Sequence, residues 1–365
     1  MQSIVYVPIL KGKEGEYGAL EALDKTLAKR ILPLIEIPTI PFDHANDRPL
    51  KTLDAHVSGI AARLLRCWGE RRPLYLDQPY FSNQDEILLD GGLAIERVLT
   101  QCADAKLHVI PVVSPRHSNR YLRAAAKHAQ CFGVGGCIRL RVEDLGEDQD
   151  PTNEIDRLCN ELGVQSRADL DLLIDLRYLR DAPQREVIVA RYLLTLISDL
   201  QDWRRIIFAS TSFPEDLSGM DAASTILMPR WEWTLRESLL RRPDLLKGAN
   251  LVFGDYAIAH PDLKELDPRT MRMSASIRYT TNDGKWLLLK GRNVRQFGYQ
   301  QFFDLCDELF SRPEFLGSDF SWGDEYIGDC VARKKGPGNA TTWRKVGTNH
   351  HITVIARQLL DTGAA

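Results

Sequence analysis

The sequence lacks the features that mark membrane-spanning and disulfide-stabilised proteins. No window approaches about 18 uninterrupted apolar residues, which excludes a transmembrane helix on sequence grounds. The seven cysteines are widely spaced and include no CxxC pair, so neither a disulfide framework nor a zinc ribbon is indicated. The first residues, "MQSIVYVPILKGKEG", have neither a basic n-region nor a cleavage site and predict a strand rather than a signal peptide. We therefore expect a cytoplasmic protein with reduced thiols.

A charge bias and the familiar catalytic signatures are missing as well. The net charge of −3 over 365 residues gives no global attraction to nucleic acid or to an anionic membrane, although a local basic patch remains compatible with it. The chain contains no HExxH, Walker A, GxSxG or kinase signature. The search for function therefore starts from the fold pattern.

Short β-branched runs alternate with helical periodicity as far as residue 257. The eight runs are "IVYVPILK" (4–11), "ILPLIEIP" (31–38), "PLYLDQ" (73–78), "HVIPVVS" (108–114), "GCIRLRV" (136–142), "DLLIDLR" (171–177), "RIIFASTS" (205–212) and "LVFGDYA" (251–257). Eight strand–helix units over about 250 residues match a (β/α)₈ TIM-like barrel. The alternative, a doubly wound open sheet, has fewer strands and a GxGxxG first turn, which "LKGKEGEYG" does not fit.

Each run is mostly apolar and ends in a polar or charged residue of one parity. These strand-end residues are Lys11, Glu36, Asp77, Ser114, Arg139 with Arg141, Asp175 with Arg177, Ser212 and Asp255. Side chains of a barrel strand alternate between the lumen and the helix layer, and barrel enzymes carry their active sites at the C-terminal strand ends. We therefore expect one mouth lined by these residues. A satisfied ion-pair network without chemistry is the alternative.

Beyond residue 260 the alternation stops. "SASIRYTTNDGKWLLLKGRN" (274–293) predicts a β-hairpin around "NDG", and "FGYQQFFDLCDELFS" (297–311) predicts an amphipathic helix. We predict a barrel over residues 1–262 and an α+β extension over residues 263–365 that packs on the barrel and covers its mouth. Within it, "GPGNATTWRKVGTNHHITV" (336–354) is the expected lid.

Carboxylates and histidines are the candidate catalytic residues: Glu36, Asp77, Asp175, Asp255, His350 and His351. Carboxylates at one mouth suit general acid–base catalysis or a divalent metal, whose candidate ligands are Asp77, Asp175 and Asp255. His350 or His351 would act as the acid, because imidazole titrates near neutral pH.

Cations and further polar groups are the candidate ligand-binding residues: Lys11, Arg116, Arg139, Arg141, Arg177, Ser212, Arg278, Lys290, Arg292, Trp343, Arg344 and Asn349. Arginine forks bind phosphate or carboxylate, so we expect a small anionic ligand such as a nucleotide or sugar phosphate. Intramolecular salt bridges are the alternative. Trp231 and Trp233 in "PRWEWTLRE" are suited to base stacking, but packing of the seventh helix is the preferred interpretation.

Four segments together resemble the phage-associated beta protein family: "YVPILKGKEGEYGAL", "ILPLIEIP", "SIRYTT…W…KG" and "GPGNATTWRKVGTNHHITVIARQL". The resemblance spans nearly the whole chain and is clearest at its two ends. It implies a phage or phage-defence setting. It implies no particular reaction, and no catalytic residue can be carried over from it.

Three functional hypotheses follow. The first is a barrel enzyme acting on a phosphate-bearing substrate, a nucleotide or nucleic-acid end, with phosphodiester hydrolysis as its sharpest form. The second is a non-enzymatic binding module that docks a phage component or a partner protein. The third, a nucleic-acid binder, has the net charge of −3 against it.

Overall fold

The computed structural model describes residues 3–81, 86–144, 150–164, 166–197, 199–246, 248–263 and 273–363. Its strands are β1 (Tyr6–Leu10), β2 (Leu34–Glu36), β3 (Phe42–Asp43), β4 (Arg48–Pro49), β5 (Pro73–Asp77), β6 (His108–Val113), β7 (Gly136–Arg141), β8 (Leu170–Tyr178), β9 (Arg205–Thr211), β10 (Ser224–Pro229), β11 (Leu251–Asp255), β12 (Ser274–Thr280) and β13 (Lys285–Asn293). Its helices are α1 (Glu14–Glu21), α2 (Leu53–Val57), α3 (Ile60–Trp68), α4 (Ala94–Asp104), α5 (Asn119–Phe132), α6 (Pro151–Leu162), α7 (Gln184–Leu196), α8 (Trp231–Leu240), α9 (Pro243–Leu246), α10 (Val294–Phe297), α11 (Gln301–Phe310), α12 (Trp322–Val331) and α13 (Ala340–Asp361).

Eight parallel strands close into a barrel in the order β1-β11-β9-β8-β7-β6-β5-β2. The register brings strand ends side by side, with Glu36 opposite Asp77 and Arg141 opposite Asp175. A small apolar cluster fills the lumen, and a much larger one lies between strands and helices. The (β/α)₈ prediction is therefore confirmed, because all eight predicted runs form the barrel strands.

The eighth helix of the barrel layer comes from the far end of the chain. Helix α13 packs against α1 and β1, and its apolar residues Ile352, Ile355, Ala356 and Leu359 belong to the cluster between strands and helices. Asn349 donates a hydrogen bond from Nδ2 to the carbonyl oxygen of Ala19 in α1 (3.1 Å). The expectation that this segment forms a lid over the mouth is corrected, because its apolar face is long enough to complete the barrel wall.

A second sheet covers the outer face of α13. The predicted hairpin forms as β12 and β13, which pair antiparallel, and β10 adds a third strand along the free edge of β13. The sequence pattern did not predict β10, which precedes α8 in the chain. Helix and sheet approach closely at Gly347, where a Cβ atom would lie 2.9 Å from the carbonyl oxygen of Arg278. The sheet thus draws on both sides of residue 262, and the division into two domains stays a prediction.

Trp233 packs rather than standing free: its ring meets Phe253 of β11 edge-on, with centroids 5.7 Å apart. Among the helices of the described ranges, none is both long and apolar enough to span a bilayer.

Candidate functional site

One arginine organises the mouth of the barrel. Arg139, on β7, donates from Nη1 to Glu36 Oε1 (2.7 Å) and to Asp77 Oδ2 (2.6 Å). Its Nε and Nη2 both donate to Asp175 Oδ2 (3.0 and 2.7 Å). All four side chains are buried. The structure thus brings together the carboxylates at the ends of β2, β5 and β8, and the Arg139 guanidinium contacts all three.

Lys11 completes the network from the end of β1. Its Nζ lies 2.7 Å from Glu36 Oε2 and also donates to the Tyr80 hydroxyl and the Pro261 carbonyl oxygen. Tyr80 in turn donates to Glu36 Oε2. The chain turns sharply just after Lys11, because Gly12 has φ of +60° and a Cβ there would lie 2.7 Å from the Glu36 carbonyl oxygen.

Tyr256 is a mouth residue that the sequence pattern did not identify. Its hydroxyl donates to Asp175 Oδ2 (2.6 Å) and accepts from Arg139 Nη2 (2.8 Å). It reaches the lumen because Val252 and Tyr256 face inward, whereas Phe253 faces the helix layer. We call Lys11, Glu36, Asp77, Arg139, Arg141, Asp175 and Tyr256 the mouth network.

The prediction of which residues of β9 and β11 face the lumen is therefore wrong. Two residues predicted at the mouth lie elsewhere. Ser212 and Asp255 lie on the helix-layer side of the wall, where Ser212 contacts Glu232 and Asp255 contacts His351. The error has a physical cause: in "RIIFAS" and "LVFGDY" both parities are apolar, so neither marks the lumen. The correct signal was the hydroxyl of Tyr256 rather than the charge of Asp255.

The carboxylates of the mouth network are ionised at neutral pH. Burial alone would raise the pKa of each, but the neighbouring cations outweigh it: Lys11 and Arg139 lower the pKa of Glu36, and Arg139 and Arg141 lower that of Asp175. The pKa of Asp77 is lowered by His117 and Arg139 against the same burial effect. Three carboxylates thus offset the three cations Lys11, Arg139 and Arg141.

Arg141 differs from the other members of the mouth network. It shares the lumen face of β7 with Arg139, and its nearest carboxylate contact is Nε to Asp175 Oδ2 at 3.4 Å. The buried Nε has no hydrogen-bond partner, and none of the described residues accepts a hydrogen bond from the rest of the guanidinium. The side chain is 8% exposed, so it is largely desolvated yet reaches solvent at the mouth.

His117 stands beside Asp77 and was also missed. The backbone N–H of Ser114 donates to its Nδ1 (3.1 Å), so the neutral ring carries its proton on Nε2. That Nε2 lies 3.3 Å from Asp77 Oδ1, and the ring stacks on Tyr121 with centroids 3.8 Å apart. In the sequence, only the position of His117 three residues after the strand-end residue Ser114 could have indicated that it belongs to the site.

Two residues in the left-handed backbone region flank the mouth. Arg177 has φ of +56° and Ala257 has φ of +49°, although both carry a Cβ atom. A register shift between Asp175 and Arg177 accompanies the first, and the Arg177 N–H donates to Asp175 Oδ1 (3.1 Å). Strain of this kind concentrates at functional sites, and here it fixes the carboxylate that two arginines share.

The two adjacent histidines do not reach the mouth, which corrects their predicted role as acids. His351 contacts Asp255 Oδ2 through Nε2 (2.8 Å) and Thr280 Oγ1 through Nδ1 (2.7 Å). His350 contacts Asp324 Oδ2 through Nδ1 (2.8 Å) and the Thr280 carbonyl oxygen through Nε2 (2.8 Å). Both are fully buried between the barrel wall and the hairpin. They hold α13 to the second sheet.

A second polar cluster surrounds His351. Its ring stacks on Trp286 with centroids 4.9 Å apart, and Trp286 Nε1 donates to Ser212 Oγ (3.3 Å). Ser212 donates to Glu232 Oε2 (2.7 Å), and burial raises the pKa of Glu232 to about 7. We call Ser212, Arg230, Glu232, Asp255, Thr280, Trp286 and His351 the wall cluster.

The remaining predicted ligand-binding residues divide into two groups. At the rim of the mouth, Arg116 pairs with Glu143 and Asp144, and Arg177 pairs with Glu143 and Asp262. Arg278 and Arg344 meet at the Ile258 carbonyl oxygen, to which each donates at 3.1 Å. These four stay near the loops that follow the barrel strands.

Four others belong to the extension, which corrects their predicted place at the mouth. Lys290 donates to the carbonyl oxygens of Leu217 and Met220, and Arg292 lies over the Phe297 ring. Trp343 stacks on Phe302, with centroids 4.5 Å apart. Asn349 accepts from the Gly323 N–H (3.1 Å) and links α12 to α1. Their side chains serve packing of the extension.

The predicted metal trio is likewise corrected. Asp255 lies across the barrel wall from Asp77 and Asp175, and Arg139 already occupies oxygens of the other two. Within the residues that the structure describes, no group of three or more His, Cys, Asp or Glu side chains could hold a metal ion.

Comparison with known proteins identifies the family of this chain. The sequence matches the family model described as Beta protein over residues 6–357. The chain belongs to the Beta protein family. No curated protein matches this family member.

Three solved structures are similar to this chain at low identity and low TM-score. A Yersinia pestis DHPS with a pterine-sulfa conjugate is 12% identical, with a TM-score of 0.35 over 70% of this chain and 89% of that one. A 2,3-dimethylmalate lyase of the PEP mutase/isocitrate lyase superfamily is 11% identical, with a TM-score of 0.35 over 73% and 87%. A mutant of the atrazine chlorohydrolase TrzN from Arthrobacter aurescens TC1 is 13% identical, with a TM-score of 0.30 over 68% and 50%. No activity of these enzymes is carried over to this Beta protein member.

Proposed function

We propose that this protein is an enzyme whose barrel mouth binds a phosphate-bearing substrate, a nucleotide or nucleic-acid end, and that phosphodiester hydrolysis is its reaction. The observation that carries the proposal is Arg141. Buried polar groups are normally hydrogen-bonded, and a buried arginine without a hydrogen-bonded partner is costly. A guanidinium fork at a barrel mouth that is largely desolvated, reaches solvent and has only one long ion pair suits bidentate binding of a phosphate group.

Within this proposal His117 donates a hydrogen bond to the phosphoryl group in the transition state. Its Nε2–H stands beside Asp77 at the same mouth, and the Ser114 N–H at Nδ1 fixes the tautomer. In hydrolysis, a water oxygen forms the new bond to phosphorus as the bond from phosphorus to the leaving oxygen breaks. Asp77 Oδ1, which has no hydrogen-bond partner, takes a proton from the water and passes it to the leaving oxygen. Arg141 would stabilise the negative charge on the phosphoryl oxygens.

The experiment is a binding titration followed by a turnover assay. We expect a phosphodiester such as bis(p-nitrophenyl) phosphate to bind the native protein, and Arg141→Ala to weaken binding at least about 10-fold, because a charge-assisted bidentate pair is lost. Arg157→Ala is the matched control, since Arg157 pairs with Glu154 on the surface of α6. His117→Ala is expected to retain binding and lose turnover. If the native protein binds no phosphate ester, or if Arg141→Ala binds as well as Arg157→Ala, the proposal fails.

One observation favours a second candidate, a non-enzymatic binding module. The pKa of every carboxylate in the mouth network is lowered, which makes each a weak general base. A mouth of this kind recognises an anion without transforming it. In the same assay this candidate predicts binding that depends on Arg141, with no turnover by the native protein.

The phage or phage-defence setting belongs to the same proposal and is supported by the family resemblance alone. Expression of the native protein in phage-challenged bacteria is expected to change plaque numbers, and Arg141→Ala is expected to abolish that change. An unchanged plaque number with the native protein would remove the setting and leave the ligand site untouched.

A further inference from the structure

Two aromatic rings stand together at the rim of the mouth. Tyr178 follows Arg177 at the end of β8, and His260 lies in the loop after β11. Their ring centroids are 4.7 Å apart with planes tilted by 54°. Both residues are partly buried, and the His260 side chain is 11% exposed, so a limited part of its ring faces solvent.

The loop that carries His260 is tied to the mouth network from below. Lys11 Nζ donates to the carbonyl oxygen of Pro261, the next residue, and Asp262 pairs with Arg177. These contacts place the aromatic pair above the charged groups and next to β8, which pairs directly with the β7 strand of Arg141. The aromatic pair and the Arg141 guanidinium therefore lie at the ends of neighbouring strands on the same side of the barrel.

The histidine ring also offers a defined donor. The Asp262 N–H donates to His260 Nδ1 (3.2 Å), so the proton of the neutral ring sits on Nε2. Burial lowers the pKa of His260, which favours this neutral form near pH 7. No acceptor for Nε2–H exists among the residues described around the mouth, so this donor is available to the edge of a ligand.

We infer that the ligand of the mouth is a nucleotide rather than a sugar phosphate, with its phosphate on Arg141 and its base on Tyr178 and His260. This inference rests on the proposed function, since it needs the phosphate site. A nucleobase presents a flat π face that stacks on aromatic rings, and its edge accepts hydrogen bonds. A sugar phosphate has no such face and would leave both rings uncovered.

The test is calorimetric titration with three probes: adenosine 5′-monophosphate, ribose 5-phosphate and inorganic phosphate. On the native protein we expect the nucleotide to bind about 10-fold more tightly than ribose 5-phosphate, which corresponds to one stacked base. Tyr178→Ala is expected to lower the affinity for the nucleotide to that for ribose 5-phosphate and to leave the affinity for ribose 5-phosphate unchanged. Tyr178→Phe is expected to retain the tighter binding of the nucleotide. Tyr192→Ala, an exposed tyrosine on α7, is the control and is expected to change neither.

The outcomes separate the two levels of the proposal. Equal affinities for the nucleotide and ribose 5-phosphate on the native protein would overturn the inference and leave the phosphate site standing. Binding of none of the three probes would overturn the proposed function itself. If Tyr178→Ala weakens all three probes equally, Tyr178 shapes the phosphate site instead of holding a base, and the inference is again wrong.

Discussion

The mouth network and the wall cluster lie on opposite sides of the barrel wall, and both contain buried polar atoms without hydrogen-bond partners. In the mouth network the unbonded atoms are Arg141 Nε, on a side chain that reaches solvent, and Asp77 Oδ1, which lies beside His117. In the wall cluster the unbonded atoms belong to Arg230 and Glu232, which are sealed between the barrel, α8 and the second sheet. An unpaired group that a ligand can reach suits binding, whereas a sealed one only costs stability. Strand parity decides which of these a strand-end residue becomes.

The largest effect is expected at the centre of the mouth network. Arg139→Ala leaves three buried carboxylates without their shared cation and should lower the free energy of unfolding by about 5 kcal/mol. The control is Arg205→Ala, because Asp171 keeps Arg204 as a partner.

The pH dependence of Arg139→Ala gives a second readout. With Arg139 present, the lowered pKa values of Glu36, Asp77 and Asp175 mean that their contribution persists above pH 4 to 5 and is lost only as the pH falls further. Without Arg139 their pKa values rise, so the variant should gain stability as the pH falls from 7 to 5. A parallel pH profile for variant and native protein in urea unfolding would contradict the network described here.

The next largest loss of stability is expected in the wall cluster, where a substitution tests whether the cluster is purely structural. Asp255→Ala removes the acceptor of Tyr6, of the Ala257 N–H and of His351, and should cost about 3 to 4 kcal/mol of unfolding free energy. Phosphate-ester affinity of the folded variant should match the native value. Asp361→Ala, at the exposed end of α13, is the control. Loss of affinity in the folded variant would show that the wall cluster takes part in binding.

Glu232 should give the wall cluster a distinct pH dependence. Burial raises its pKa from 4.5 to about 7, so the folded state binds a proton that the unfolded state releases between these values. Stability should therefore fall as the pH rises from about 4.5 to 7, by on the order of 3 kcal/mol. Glu232→Gln should flatten this decline, whereas Glu237→Gln, exposed on the same helix, should not. An equal decline in both variants would mean that another group carries it.

The smallest stability effect is expected where the largest binding effect is proposed. Arg141→Ala should lower the unfolding free energy by about 1 kcal/mol, because its one carboxylate contact is long and Asp175 retains Arg139. Thermal or urea unfolding beside the phosphate titration measures both quantities on one sample. A loss comparable to that of Arg139→Ala would make Arg141 a structural member of the network.

The barrel could be predicted because each of its strands can be recognised from its own sequence pattern. In β2, β5, β7 and β8 one parity is apolar and then ends in Glu36, Asp77, Arg139 or Asp175, so register alone brings these charges together. In β9 and β11 both parities are apolar, and the polar residue nearest the strand end was mistaken for a lumen residue. The hairpin was predictable from its turn, whereas β10 was not, since it pairs only with residues some sixty positions later.

The finer parts of the site depend on contacts that no local pattern encodes. Tyr80 and His117 lie in loops and enter the site through long-range contacts with Glu36 and Asp77. The "NHH" segment contains residue types typical of catalysis, but its burial follows from α13 filling the eighth helix position. Composition alone cannot distinguish a polar residue that seals a wall from one that lines a mouth.

Helix α13 also bears on the order in which the protein can form. Its contact with α1 joins residues separated by 330 positions, so the layer of helices around the barrel cannot be complete until α13 has been synthesised. Until then the strands around β1 and β11 expose the apolar groove that α13 later fills, a surface open to chaperones or to unwanted association. Folding of this barrel is thus expected to be completed after translation of α13 rather than strand by strand during synthesis.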